Sequence, residues 1–209
     1  PLHVERGGEP VRNWGGAKAG TRQAEAMFAF LYDRGERGVA KDEFLEVIWP
    51  DVPLENADQA FHRTLGGLRR TIEPGLKRRT QSSAITYQND RYRLSEAAIE
   101  WNDVEVFEKL IANAAHLSDS AISSLEEARK LYRGPYLDDC PFYGDSLYVE
   151  EKRKLLEGRY LDLLLAIGEL YEKSGNSTAA AGCYRQALHM AADDCPRADD
   201  GLARLGLPL

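Results

Sequence analysis

The chain has 209 residues, enough for one large or two small domains. No apolar run reaches the roughly 18 residues that a membrane-spanning helix needs, so no membrane partner is expected. The net charge of −7 argues against a nucleic-acid binder until it is divided: residues 1–100 carry 15 basic and 15 acidic residues, and residues 101–209 carry 12 and 19. All of the excess acidity lies in the second half.

The first residues, PLHVERGGEP, contain no apolar segment of signal-peptide type, so none is expected. Cys140, Cys183 and Cys195 are odd in number and lack CxxC spacing. They read as free thiols in a reducing cytoplasm.

Leu2, His3 and Val4, then Gly7-Gly8, then Val11, predict a short hairpin with a glycine turn. A two-stranded ribbon is marginal alone. It is expected either to pack on the chain after it or to lack a preceding strand. Ala24, Met27, Phe28 and Leu31 form a helical stripe over 21–33, stopped by Gly35 and Gly38. A second helix over 41–49 groups Phe44, Leu45, Ile48 and Trp49 and is stopped by Pro50. Pro50, Asp51, Val52 and Pro53 make a rigid turn.

Asn56 is a good N-cap residue, and a third helix is predicted over 56–72. Its apolar stripe is Ala57, Phe61, Leu65, Leu68 and Ile72. Gln59, Arg63, Gly66 and Arg70 fall on the opposite face, with His62 and Gly67 beside them. Pro74-Gly75 ends this helix, and Lys77, Arg78 and Arg79 follow. Ile85-Thr86-Tyr87 and Tyr92-Arg93-Leu94 then flank a turn at Asn89-Asp90, which predicts a hairpin.

Between Gln59 and Arg93 the chain carries eight basic residues against Glu73 and Asp90, a candidate electrostatic footprint for nucleic acid. The order hairpin, helix, helix, turn, helix, hairpin is that of a winged helix-turn-helix. In that arrangement the helix after the turn can enter the major groove of DNA. Gln59, His62, Arg63 and Arg70 are the candidates for base and nearby backbone contacts. Lys77, Arg78 and Arg79, with Arg91 and Arg93 on the wing, are the candidates for phosphate. Gly66-Gly67 sits mid-helix, where each glycine costs up to about 1 kcal/mol against alanine and offers no side chain to a base.

Beyond residues 100–103 the pattern is helical. Val104, Phe107, Leu110 and Ile111 form one stripe, and Ala121 or Ile122 with Leu125, Ala128, Leu131 and Tyr132 the next. Residues 133–139 read as a loop and 146–173 as a long helix. Residues 161–192 carry a tetratricopeptide (TPR) pattern. Gly168, Tyr171, Gly175, Ala180, Tyr184 and Ala187 fall where small, aromatic and turn residues are wanted. A single repeat cannot bury its own face and needs stacked neighbours.

Several segments in order, GVAKDEFLEVIWPD (38–51), ADQAFHRTLGGLRRTIEP (57–74) and DRYRL (90–94), resemble the OmpR-type winged-helix domain in the version found in the Streptomyces antibiotic regulatory protein (SARP) family. The Leu-Trp-Pro-Asp element of that family corresponds to Ile48-Trp49-Pro50-Asp51, and its double arginine to Arg69-Arg70. LEEARKLYRGPYLDD (125–139), the long helix and the repeat resemble the bacterial transcriptional activator domain that follows the winged helix in such regulators. The resemblance implies a DNA-binding transcriptional activator with double-stranded promoter DNA as partner, RNA polymerase as a second partner and a homodimeric state. It points to Asp51, Val52, Pro53, Leu54 and Glu55 as a polymerase-contact loop. The family's domains usually carry more strand before this start and more helix pairs after this end, so a fragment or short version is expected.

The expected fold class is therefore mainly α. A winged helix-turn-helix domain (α+β) over 1–98 precedes an all-α, TPR-like domain over 99–209. His3, His62, His116 and His189 show no paired-ligand spacing, and no phosphate loop or nucleophile elbow occurs. Asp138-Asp139-Cys140 and Asp193-Asp194-Cys195 read as acidic loop residues. No enzyme, cofactor or metal is expected. The alternative function is a protein-interaction module of a larger regulator whose winged helix no longer reads DNA.

Overall fold

The computed structural model describes residues 2–15, 20–77, 80–114, 121–192 and 194–207. The protein is mainly helical with two small sheets. It divides into two compact units, Pro1–Glu100 with Gly134–Arg153, and Trp101–Arg133 with Lys154–Leu209.

The first unit opens with strands β1 (Glu5–Arg6) and β2 (Glu9–Pro10), paired antiparallel. Gly7 and Gly8 turn the chain with φ of +58° and +80°, values that side-chain-bearing residues rarely adopt. Helix α1 (Thr21–Arg34) ends at Gly35, whose N–H returns to the carbonyls of Leu31 and Tyr32. Strand β3 (Val39–Ala40) leads directly into α2 (Lys41–Ile48). After the proline turn comes α3 (Leu54–Ile72), then β4 (Ile85–Gln88) and β5 (Arg91–Leu94).

The wing forms as predicted. Gln88 pairs with Arg91 across a two-residue turn, and Asn89 and Asp90 take φ of +51° and +57°, the geometry favoured in tight hairpins. The sheet order is β3-β5-β4, so Val39–Ala40, for which the sequence predicts no strand, supplies a third one. Two residues are too few to register as a period-2 pattern.

The helix expected to start at Asn56 begins two residues earlier. Pro53 occupies the N-cap, and its carbonyl accepts from the amides of both Asn56 and Ala57 at 2.9 Å. The Pro53 ring fixes φ at −52°, which sets the backbone for the first turn, and no side chain caps this start. Ala57, Phe61, Leu65 and Leu68 are buried, as their spacing requires. Phe61 joins an aromatic cluster with Phe44 at 5.5 Å and Tyr92 at 5.3 Å, and Phe44 reaches Phe30 at 5.3 Å. This core fixes α3 against α1, α2 and the wing.

The first unit is not one continuous stretch of chain, because residues 134–153 return to it. Tyr143, fully buried, stacks on Phe30 with ring centroids 4.3 Å apart. Tyr136 and Tyr143 both donate hydroxyl hydrogen bonds to Asp33 at the end of α1, at 3.0 and 2.6 Å. Arg153 braces the same segment by donating to the carbonyls of Tyr136 and Gly144. A single cut near residue 98 omits this segment, since the sequence places these tyrosines in a loop more than 100 residues from Asp33.

The second unit contains α4 (Asp103–Ala114), α5 (Ala121–Leu131), most of α6 (Leu147–Lys173), α7 (Ser177–Met190) and α8 (Pro196–Arg204). Tyr132 stacks on Tyr160 at 4.0 Å. Asn176 caps α7 by accepting from the Ala179 amide at 3.2 Å, after a turn in which Gly175 has φ +78°. Tyr184 is fully buried, its ring lying between the backbones of Gly168 and Gly201. Helix α8 has no counterpart among the elements expected from the sequence. Its stripe of Ala198, Gly201 and Leu202 consists mostly of small residues that carry little hydrophobic signal.

Among the described residues, no helix is long and apolar enough to cross a membrane, and no group of three or more His, Cys, Asp and Glu is arranged to hold a metal ion. Cys140, Cys183 and Cys195 are free and buried. Burial pushes the Cys140 thiol up to about 12, so it stays protonated near neutral pH.

Candidate nucleic-acid interface

The face of α3 opposite the core is polar and accessible. Gln59, His62, Arg63 and Arg70 are all exposed, and Gly66 lies between them, half-buried. Arg63 makes only a long contact, 3.4 Å from its Nε to the Gln59 carbonyl. His62 lies 3.8 Å from Asp58, which is paired with Lys41 at 2.5 Å. The hydrogen bond from Lys41 holds the Asp58 carboxyl below its usual range. Asp58 is thus already partnered by the first residue of α2.

A Cβ added at Gly66 would meet nothing closer than the Arg70 guanidinium at 3.6 Å, which is ordinary contact. No packing within the protein therefore demands glycine there. Gly67, expected beside the polar face, is instead buried. The chain leaving the N-terminal hairpin passes over this end of α3. The Gly15 amide donates to Thr71 Oγ1 at 2.9 Å, and Thr71 Oγ1 donates to the Gly67 carbonyl at 3.2 Å. Arg6 donates to the Thr71 carbonyl and so caps the C-terminal end of the helix.

The basic footprint separates into two classes. Arg69 turns inward and donates to the Ile85 carbonyl at 3.2 Å, tying α3 to the wing. Arg91 forms an ion pair with Glu43 at 2.8 Å and donates to the Gly38 carbonyl at 3.0 Å. Glu43 also accepts from the Ala40 amide at 2.7 Å, so Arg91 braces the start of α2. Arg93 donates to the carbonyls of Glu36 and Gln88 at 2.7 and 3.0 Å. These contacts hold the wing arginines against the protein and compete with any external phosphate.

Arg63, Arg70 and Lys77 remain exposed, and none of them carries an ion pair among the described residues. Lys77 lies in the loop after α3, near whose start Glu73 accepts from the Ser83 amide at 3.1 Å and from the Ser83 hydroxyl at 2.6 Å. Arg78 and Arg79 lie outside the described residues.

The turn between α2 and α3 presents Asp51, Val52, Pro53, Leu54 and Glu55, all exposed. Leu54 is 73% exposed and Val52 is 39% exposed, so this turn offers two apolar side chains between two carboxylates. Trp49, just before it, is buried against Phe61 and anchors the turn.

No family model matches the chain, and no curated protein matches it. Among solved structures, the chain is similar to EmbR of Mycobacterium tuberculosis in complex with a low-affinity phosphopeptide. The TM-score is 0.55 at 22% sequence identity. The match covers 100% of this chain and 64% of that one, so the chain spans less than two thirds of EmbR's length. At that identity the likeness establishes the fold, a small winged-sheet domain with a helical domain.

Proposed function

We propose that the chain is a SARP-type, DNA-binding transcriptional regulator that seats α3 in the major groove. The observation that carries this reading is the α3 surface. One face is buried in the aromatic core, and the other presents Gln59, His62, Arg63 and Arg70 to solvent. A helix–turn–helix with a two-stranded wing is a geometry that delivers such a face to base edges. The fold shared with EmbR, a SARP-family regulator, supports the same reading. Arg63 and Arg70 are the principal cations, with Lys77, Arg78 and Arg79 as flanking phosphate contacts. Arg91 and Arg93 contribute mainly by fixing the wing.

The reading extends to partners. The 51–55 turn, with exposed Val52 and Leu54, is the proposed polymerase contact, and activation follows from that contact. The helical domain, read as TPR-like, supports homodimerisation. The internal partners of Arg91 and Arg93, with the bare backbone at Gly66, favour a second reading: an interaction module whose winged helix no longer reads DNA.

A salt-titrated binding measurement on duplex DNA separates the two. Each phosphate contact contributes about 0.9 to the slope of log affinity against log salt. Arg63→Ala and Arg70→Ala are each expected to lower the slope by about that amount. Unchanged affinity and slope in both variants would contradict docking through α3. Absence of DNA retention at low salt, with a stable dimer in sedimentation, would favour the second reading.

A further inference from the structure

The N-terminal hairpin and the C-terminal half of α3 enclose a groove of about 600 Å³. Its walls include Arg6, Glu9 and Arg12 from the hairpin segment and Gly67, Arg70 and Thr71 from α3. We infer that this groove seats a phosphate of the DNA backbone, with Arg12 and Arg70 as its ligands, so that the hairpin forms part of the nucleic-acid interface. This inference rests on the α3 docking proposed above.

The charge balance favours an anion. The lining includes three arginines, Arg6, Arg12 and Arg70, against one acidic residue, Glu9. The C-terminal end of a helix adds roughly half a negative charge, but Arg6 already donates to the Thr71 carbonyl there. Arg12 and Arg70 have no hydrogen-bond or ion-pair partner among the described residues, and both are exposed. Both line the same concavity, and the guanidinium fork suits phosphate oxygens.

The groove is continuous with the reading face. Arg70 belongs to both, and its guanidinium lies 3.6 Å from where a Cβ on Gly66 would sit. From Gln59 to Arg70 the helix rises roughly 16 Å at 1.5 Å per residue, and the major groove is about 12 Å wide. A helix reading bases near Gln59 and His62 therefore brings its Arg70 end to the flanking sugar–phosphate strand. That position selects a phosphodiester over a free phosphate.

The test uses the full chain and a fluorescein-labelled 30-base-pair duplex of random sequence, because phosphate contacts are independent of sequence. Anisotropy titrations across a salt series are run on the wild type, Arg12→Ala, Arg12→Lys and Arg63→Ala. Arg12 makes no hydrogen bond among the described residues, and circular dichroism checks that each variant is folded. Arg12→Ala is expected to weaken binding several-fold and to lower the salt slope by about 0.9, while Arg12→Lys keeps the slope. A wild-type slope for Arg12→Ala beside a lowered slope for Arg63→Ala would overturn the groove and leave α3 docking in place. Wild-type slopes for both would overturn docking and, with it, this inference. A parallel arm follows thermal unfolding with inorganic phosphate. A stabilisation lost in Arg12→Ala, without any change in DNA slope, would assign the groove to free phosphate and overturn the phosphodiester assignment.

Discussion

Asp33→Ala is expected to destabilise the protein by about 4 kcal/mol. The Asp33 side chain is 4% exposed and accepts from the Tyr143 and Tyr136 hydroxyls, with Lys152 Nζ 3.6 Å away. Removing it leaves two buried phenols without an acceptor, and an unsatisfied buried group costs about 1–3 kcal/mol. Neither phenol can ionise instead, since burial pushes both hydroxyls far above their ordinary range. Lys152, which also lies 4.7 Å over the Tyr136 ring, loses its counter-charge as well. Tyr143→Phe, by contrast, removes one donor and leaves Asp33 its other partners, so about 1 kcal/mol is expected. Urea unfolding of the two variants measures the difference. Equal and small losses would mean that the return segment is held by the Tyr143–Phe30 stack alone.

The second large effect is expected at Gly201. An added Cβ there would sit 2.5 Å from Tyr184 Cε2 and 2.6 Å from Cζ, and one at Gly168 would sit 2.7 Å from Cε1 on the other side of the ring. The ring has nowhere to move, because its hydroxyl donates to Glu172 at 2.8 Å. Glu172 is itself held by Arg204 at 2.8 and 3.0 Å. Alanine gains up to about 1 kcal/mol in helix propensity over glycine, while overpacking costs typically 1–3 kcal/mol. The clash wins here because it meets a fixed ring, and Gly201→Ala is expected to cost about 2 kcal/mol. Combining it with Tyr184→Leu should cost less than the sum of the two single changes. Additive losses would refute the sandwich.

The same junction carries a pH signature. The hydrogen bonds from Arg204 and Tyr184 hold the Glu172 carboxyl down from 4.5 to about 2. A carboxyl depressed in the folded state contributes stability above its unfolded pKa, and that contribution is lost as pH falls through the folded one. The acid limb of a melting-temperature profile between about 4.5 and 2 should therefore flatten in Glu172→Gln.

The helices of the first unit are legible in the sequence because local chemistry decides them. Met27, Phe61 and Leu68 recur at helical spacing, and Gly35, Pro50 and Pro74 stop the runs. The wing is legible from Asn89-Asp90, two residues that tolerate positive φ. The exposure of Gln59, His62, Arg63 and Arg70 follows from the same periodicity. Tertiary partners are not legible. A count of basic residues cannot tell that Arg91 turns to Glu43, that Arg93 turns to Glu36 and Gln88, or that Arg69 turns to Ile85. Nor does any local signal bring Arg12 and Arg70 to the walls of one groove, or the Tyr143 hydroxyl to Asp33, since those pairs are 58 and 110 residues apart. The start of α3 departs from expectation for a related reason: Asn56 has the better capping side chain, but Pro53 sets the backbone first.

Whether α3 reads DNA is tested most directly by selection from a random duplex pool with the purified full chain. Enrichment of a short motif is predicted, with discrimination concentrated on the few bases that Gln59, His62, Arg63 and Arg70 can reach. Two copies of that motif at a fixed spacing are expected if the protein binds as a dimer. A pool that remains random after repeated rounds at low salt, from a protein that is folded, would contradict the reading role of α3.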